Sequence, residues 1–305
     1  MMEYHTLSNG IQMPVMGLGT DDVFYLRKRH RSKNKYLNYL FIRYERKILK
    51  PLLDRKLSNT IAEAIKMGYR LIDTSAIYFN EGAIGRAIRI SGVPREQIFI
   101  TTRVTNKQQF DNNIREGFFQ SLKELGVDYI DLYQFHWPVP GHYLDTWREM
   151  EKLYQEGYIK ALGVANCHQH HLEEILKICT VPPMVNEVEV HPLFSQKPLK
   201  AFCDSKNIRM EAYTPLARND ERLRRNRILL GLAKKYNKTP QQIIIRWHIE
   251  NGIVPIPRST NINRLRSNVD VFDFHLTKEE IESIDSININ SRLRYDPDNC
   301  DFTLL

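Results

Sequence analysis

Apolar positions along this chain fall into short continuous runs, separated by stretches in which they recur every three or four residues. Tyr69 to Ile72 is one such run, read as a buried strand ending at Asp73. Asn80 caps the helix that follows, with Glu81 in its first turn and Ile84 and Ile88 at helical spacing. Further strands are predicted over 98–102, 129–135, 159–164, 184–188, 208–213 and 253–256. Helices are predicted over 58–66, 110–125, 143–156, 168–178, 198–205, 227–236, 240–250, 263–269 and from near 277 to 285, before an irregular tail. At the start, Thr6 to Met13 reads as a hairpin, Asn9-Gly10 supplying the two positive φ angles of a tight turn, and a short strand follows from Val15. Repeated strand–helix units imply a parallel sheet. Eight strands counted from Val15 predict a closed (β/α)8 barrel of the TIM type, one domain over 1–305 carrying an N-terminal β-hairpin.

One segment breaks the alternation. Residues 21–57, in the connection between the first barrel strand and its helix, hold twelve Lys or Arg and four Asp or Glu, which accounts for the whole net charge of +8. Arg27 to Lys35 is a solvated charge run; beyond it Leu37, Leu40, Phe41, Tyr44, Ile48 and Leu52 make an apolar stripe, stopped or kinked near Pro51. This basic helical insertion is expected to dock over the barrel mouth, and the same features fit a membrane surface as a weaker alternative. The rest of the chain is neutral, which argues against a nucleic-acid partner. No apolar run approaches a membrane span, and no secretory signal opens the chain, so a cytoplasmic protein is expected, as a monomer or weak oligomer. The cysteines (Cys167, Cys179, Cys203, Cys300) have no CxxC pair or metal-ligand spacing, so reduced thiols and no metal site are expected. Gly17 and Gly19 do not extend to GxGxxG, so a Rossmann cofactor site has no support.

In a barrel of this type the active site lies at the C-terminal strand ends. Those ends carry Gly19-Thr20, Asp73, Arg103, His136, Ala165-Asn166, Glu187, Tyr213 and Arg258, with Tyr78 in the loop after Asp73. Singly, each has a bland explanation: Asp73 capping a turn, His136 filling a barrel layer, Arg103 solvated in a loop. Their coincidence at successive strand ends is what points to chemistry.

The chain closely resembles the aldo-keto reductase family. The resemblance rests on GLGT, YRLIDTSAIYFNEGAIGRAI, QFHWPVPGHYLDTW, GVANCHQHHLEEIL, NEVEVHP, AYTPLA, VPIPRSTNINRLRSN and RYDPDNCDF, and covers nearly everything outside 21–57. It implies a barrel that binds NADPH across its mouth and reduces small aldehydes or ketones. In the implied catalytic tetrad Asp73, Tyr78 and His136 match, while Arg103 stands where the family has lysine. Tyr78 is then the acid, a neighbouring cation lowers its pKa, Asp73 holds that cation, and His136 orients the substrate oxygen. The implied cofactor residues are Gly19, Thr20, Asp73, Asn166, Glu187, Tyr213, Thr214, Pro215, Leu216, Arg258, Ser259, Thr260, Arg264 and Asn268, with Tyr213 stacking on the nicotinamide and the 258–264 cluster meeting the adenosine 2′-phosphate. Three departures cluster there: Asp21 for a tryptophan, Ala165 for a serine and Glu187 for a glutamine. An alternative is an NADPH-binding protein, catalytically impaired, with a regulatory or partner-binding role.

Overall fold

The computed structural model describes residues 2–21 and 49–303. Among the described residues ten strands run in chain order: β1 (Tyr4–Thr6), β2 (Gln12–Pro14), β3 (Leu18–Gly19), β4 (Leu71–Asp73), β5 (Phe99–Val104), β6 (Ile130–Phe135), β7 (Ile159–Ala165), β8 (Val185–Glu189), β9 (Arg209–Tyr213) and β10 (Val254–Pro255). The eight from β3 to β10 lie side by side in sequence order, each parallel to the next. Two backbone bonds close the sheet into the expected (β/α)8 barrel, Gly17 N to Pro255 O (3.0 Å) and Gly19 N to Pro257 O (3.4 Å). The approach demands glycine: a Cβ on Gly19 would lie 2.8 Å from the Ile256 carbonyl oxygen.

Strand alternation sorts the residues into two cores. Outward-facing Ile72, Ile100, Tyr133, Leu162 and Met210 pack under the helices. Inward-facing Leu71, Phe99, Leu132, Ala161, Val185 and Val254 form an apolar floor, sealed by Leu7 and Met13 of the β1–β2 hairpin. Asn9 fastens the hairpin turn to the barrel by donating to the Lys160 carbonyl (2.8 Å). Above that floor the inward positions turn polar, and all the candidate chemistry stands there.

Most predicted helices fall close to their expected bounds, and Arg227–Tyr236 and Pro240–Glu250 match them. The predicted helix over 110–125 is instead two, Asn106–Phe110 and Ile114–Leu125, broken where Asn112 takes φ +50°. Thr105 and Gln108 form a capping box that starts the first of them. Pro51 sits in the first turn of the described helix Lys50–Lys66, where its missing N–H costs nothing, and the helix expected to end or kink near it lies outside the described residues. That helix buries Leu57, Ile61 and Ile65 on one face. The expected excursion over the barrel mouth lies outside the described residues as far as residue 48. Within them Leu52, the last member of its apolar stripe, is 61% exposed, which contradicts docking at that position.

Candidate active site

Asp73 at the end of β4, Arg103 near the end of β5 and Glu187 in β8 meet inside the barrel, each about as buried as a core leucine. The Arg103 guanidinium is forked between them. Nη2 donates to Asp73 Oδ1, and Nη1 donates to Glu187 Oε1 (3.0 Å), with Nη2 also 2.8 Å from Glu187 Oε2. A charge this buried is tolerable only when paired, and here one cation serves two carboxylates. Glu211 is the residue of β9 in register with Glu187, is fully buried, and has no well-formed hydrogen bond to its carboxyl among the described residues. Burial, then the charge of Glu187, push its carboxyl well above the usual range.

Above this layer the loop after β4 presents Tyr78. Ser75 N-caps a short turn over Ala76–Tyr78, and Phe79 leaves it with φ +53°. Asn80 occupies the helix N-cap position, but its side chain does not cap: it donates to Thr20 O (3.0 Å) and accepts from Thr74 Oγ1 (2.6 Å). It therefore ties the ends of β3 and β4 together beneath Tyr78, a positioning role not read from the sequence. The Tyr78 ring meets half-buried His136 edge-on, with centroids 6.1 Å apart. His136 is held neutral, its pKa well below the ordinary range, by burial and then by the charges of Arg103 and Arg294. Asn166, at φ +61°, donates to the His136 carbonyl (2.9 Å) and accepts from the Tyr213 hydroxyl (2.7 Å). Burial pushes the Tyr213 phenol up, so it remains a donor.

The expected cofactor residues continue around the same rim. Thr20 donates to Asp73 O through both N (3.1 Å) and Oγ1 (2.8 Å). Beyond Tyr213, Thr214, Ala217, Arg218 and Asn219 all hold positive φ, and Pro215 and Leu216 lie between them. Such backbone is strained in non-glycine residues, and the turn is closed by the N–H groups of Ala217 and Asn219 donating to the carbonyls of Thr214 and Leu216 (2.8 Å each). Arg258, Ser259 and Thr260 follow β10 and lead into the helix Ile262–Val269, whose N-cap Asn261 accepts from the N–H of Asn263 and Arg264. Arg258, Thr260 and Arg264 are exposed at this positive helix end, with Asn268 buried behind them. Arg258 donates to the Asp21 carbonyl.

The Aldo/keto reductase family model matches residues 47–289. The chain belongs to this family of oxidoreductases. It is 47% identical over 243 residues to the 9,11-endoperoxide prostaglandin H2 reductase of Trypanosoma cruzi, covering 79% of this chain and 86% of the relative. It is 40% identical to the glyoxal reductase of Bacillus subtilis over 292 residues, covering 96% and 95%. Among solved structures, the aldo-keto reductase MGS-M4 from a deep-sea metagenome superposes with TM-score 0.84 at 40% identity, covering 97% of this chain and 99% of that one. An aldo-keto reductase of Bombyx mori, solved in complex with NADP, superposes with TM-score 0.82 at 31% identity, covering 97% of this chain and 96% of that one.

For this aldo/keto reductase the structure brings Asp73, Tyr78, Arg103, His136, Asn166, Glu187 and Tyr213 to one end of the barrel, while Arg258–Arg264 lie at its edge. Two departures that read as separate in the sequence, Arg103 for lysine and Glu187 for glutamine, touch each other. The guanidinium has more donors than an ammonium, and the added carboxylate takes them up, leaving the cluster with one extra negative charge. Glu211 was missed; its one signal was a lone acidic residue inside a predicted strand.

Proposed function

We propose that this protein is an NADPH-dependent reductase of small aldehydes and ketones in which Tyr78 is the general acid. The observation that carries the reading is the convergence of Tyr78, neutral His136 and the buried Arg103–Asp73 pair at the mouth of one barrel. The glyoxal and methylglyoxal reductases among its relatives favour compact carbonyl substrates. Half-buried Asp21, polar where the family has tryptophan, favours oxygen-rich ones over greasy ones.

The residues present fit the cofactor. The loop Thr214–Asn219, with positive φ at four positions, is the segment that would meet a pyrophosphate. Arg258 and Arg264 at a helix N-terminus offer cations to a 2′-phosphate, and Asn166 and Glu187 line the barrel mouth where a carboxamide would be held. When bound, the nicotinamide supplies the hydride that reaches the carbonyl carbon. The chain's own residues handle the oxygen. His136, uncharged, donates a hydrogen bond to it and fixes its position, and Tyr78 delivers the proton as negative charge develops. The buried cation of Arg103 stabilises the resulting phenolate. The direct test is oxidation of NADPH against a panel of aldehydes, ketones, 2-oxoaldehydes and sugars, with Tyr78→Phe as the control that should be inactive.

A second reading has a specific observation behind it. Arg103 already serves two carboxylates, Asp73 and Glu187, so less of its field is left for a phenolate than a lysine paired to one would have. A cofactor-binding protein that turns over slowly follows from the same geometry. Tight NADPH binding with no panel compound reduced would favour it.

A further inference from the structure

Away from the barrel mouth, three imidazoles and one carboxylate meet between the start of the helix Gln169–Ile178 and the C-terminal tail. His168 Nδ1 lies 2.8 Å from Asp298 Oδ2, while His170 Nε2 and His171 Nε2 lie 3.2 and 3.5 Å from Oδ1. One ligand atom from each of the four residues falls within 4.8 Å of all the others. The expectation of no metal rested on cysteine spacing; this cluster joins segments 130 residues apart, which no spacing rule reads. We propose that His168, His170, His171 and Asp298 form a site for a divalent transition metal, zinc or an ion of similar preference, that fastens the tail to the barrel.

The chemistry supports this assignment. Neutral imidazole with one carboxylate is a donor set for zinc, cobalt, nickel or copper, not for magnesium or calcium. In a tetrahedral zinc site with bonds near 2.0–2.1 Å the ligand atoms sit about 3.3 Å apart, so the cluster needs only side-chain rotation to close. His170 and Asp298 are exposed, leaving an entry path, whereas His171 is buried. Asp298 is the hub on which the three ring nitrogens converge, and one cation can replace the contacts they make to it. The four ligands are not equivalent. His171 Nδ1 accepts the backbone N–H of His168 (3.2 Å), so ligation through Nε2 would cost that bond. Arg292 lies 3.1 Å from His168 Nε2, so metal on Nδ1 would displace it. The first turn of a helix also disfavours a cation, which makes the charge of Asp298 decisive.

The site would not be isolated from the barrel mouth. Just before Asp298, the backbone N–H groups of Leu293 and Arg294 donate to Glu189 (2.7 and 2.9 Å). Just after it, Phe302 packs on Trp137, the neighbour of His136. A metal on Asp298 pins the tail between these two anchors.

The test uses the full chain, stripped with chelator and titrated with cobalt(II), whose tetrahedral complexes absorb strongly in the visible. The expected result is a saturable tetrahedral spectrum at one equivalent, competed by zinc. Affinity should fall by at least about tenfold in His168→Ala and His170→Ala, further in Asp298→Ala, and least in His171→Ala. Hydrogen exchange of 295–300 should slow on zinc addition in the wild type and not in Asp298→Ala. Circular dichroism and melting of each variant identify any that fail to fold, and Asp298→Asn then takes the place of Asp298→Ala. No saturable spectrum, or one undiminished in the Asp298 variants, overturns the proposal.

Discussion

At the residue scale the decisive feature is a guanidinium shared by two buried carboxylates. If Arg103 is the cation that activates Tyr78, Arg103→Met should abolish reduction, and because it leaves Asp73 and Glu187 buried without their cation it should also lower the melting temperature. Tyr78→Phe should lower kcat by about 10²–10⁴-fold, the usual worth of a positioned acid. Arg103→Lys alone strands part of the charge on Glu187, so the informative variant is Arg103→Lys with Glu187→Gln. Steady-state kinetics should find that pair faster than wild type, and faster than either single change; a slower pair would mean that arginine is itself the adapted residue. Glu211 gives a prediction of a different kind. Its folded pKa is raised, so the folded state holds a proton that the unfolded chain releases above about pH 4.3, and stability falls as pH rises through that window. Glu211→Gln should therefore add about 1–3 kcal/mol near pH 7 and almost nothing near pH 4, read from urea unfolding at the two pH values. Much of the site was legible one residue at a time, because a strand end names one side chain. The pairing of Arg103 with Asp73 followed from the family resemblance, but its second arm to Glu187 was not legible, because it joins residues that meet only when the barrel closes.

At the scale of elements, hydrophobic periodicity identified strands and helices with small errors at the ends, and failed where side chains override it. Asp111-Asn112-Asn113 looked like the polar face of one long helix. Asn112 instead takes the left-handed conformation, a habit of asparagine that a hydrophobic pattern does not register, and a new helix starts after Asn113. Pro51 falls in the first turn of the described helix Lys50–Lys66, a position that proline favours. The loop leaving β9 is the element with most at stake. Thr214 is β-branched and at φ +52°, so Thr214→Gly should raise thermal stability by about 1 kcal/mol. It should also weaken NADPH binding, because a glycine loosens the loop that would meet the cofactor. The helix Ile262–Val269 carries the complementary prediction. NADPH should bind at least about tenfold more tightly than NADH, from charge-assisted bonds of about 1.5–3 kcal/mol, and Arg264→Ala should erase most of that preference in a fluorescence titration.

At the scale of the whole molecule, the hairpin and the eight strands make a vessel with a sealed base and a polar mouth. Met13→Ala, at the centre of the seal, should cost about 2–5 kcal/mol in unfolding experiments while leaving the distant cofactor preference unaltered. The closed architecture was legible from the count of strand–helix units. Its closure was not, because the joint between β3 and β10 consists of two hydrogen bonds made by glycines that carry no pattern. That joint has a consequence in time. During synthesis β3 emerges early and must wait more than two hundred residues for the partner that completes the circle. Until Pro257 has left the ribosome, the nascent sheet has a bare edge on each side, and each is a template for pairing with a stranger. A chain released at residue 253 would hold seven of the eight strands, yet sedimentation should find it in aggregates, not as a slightly smaller monomer.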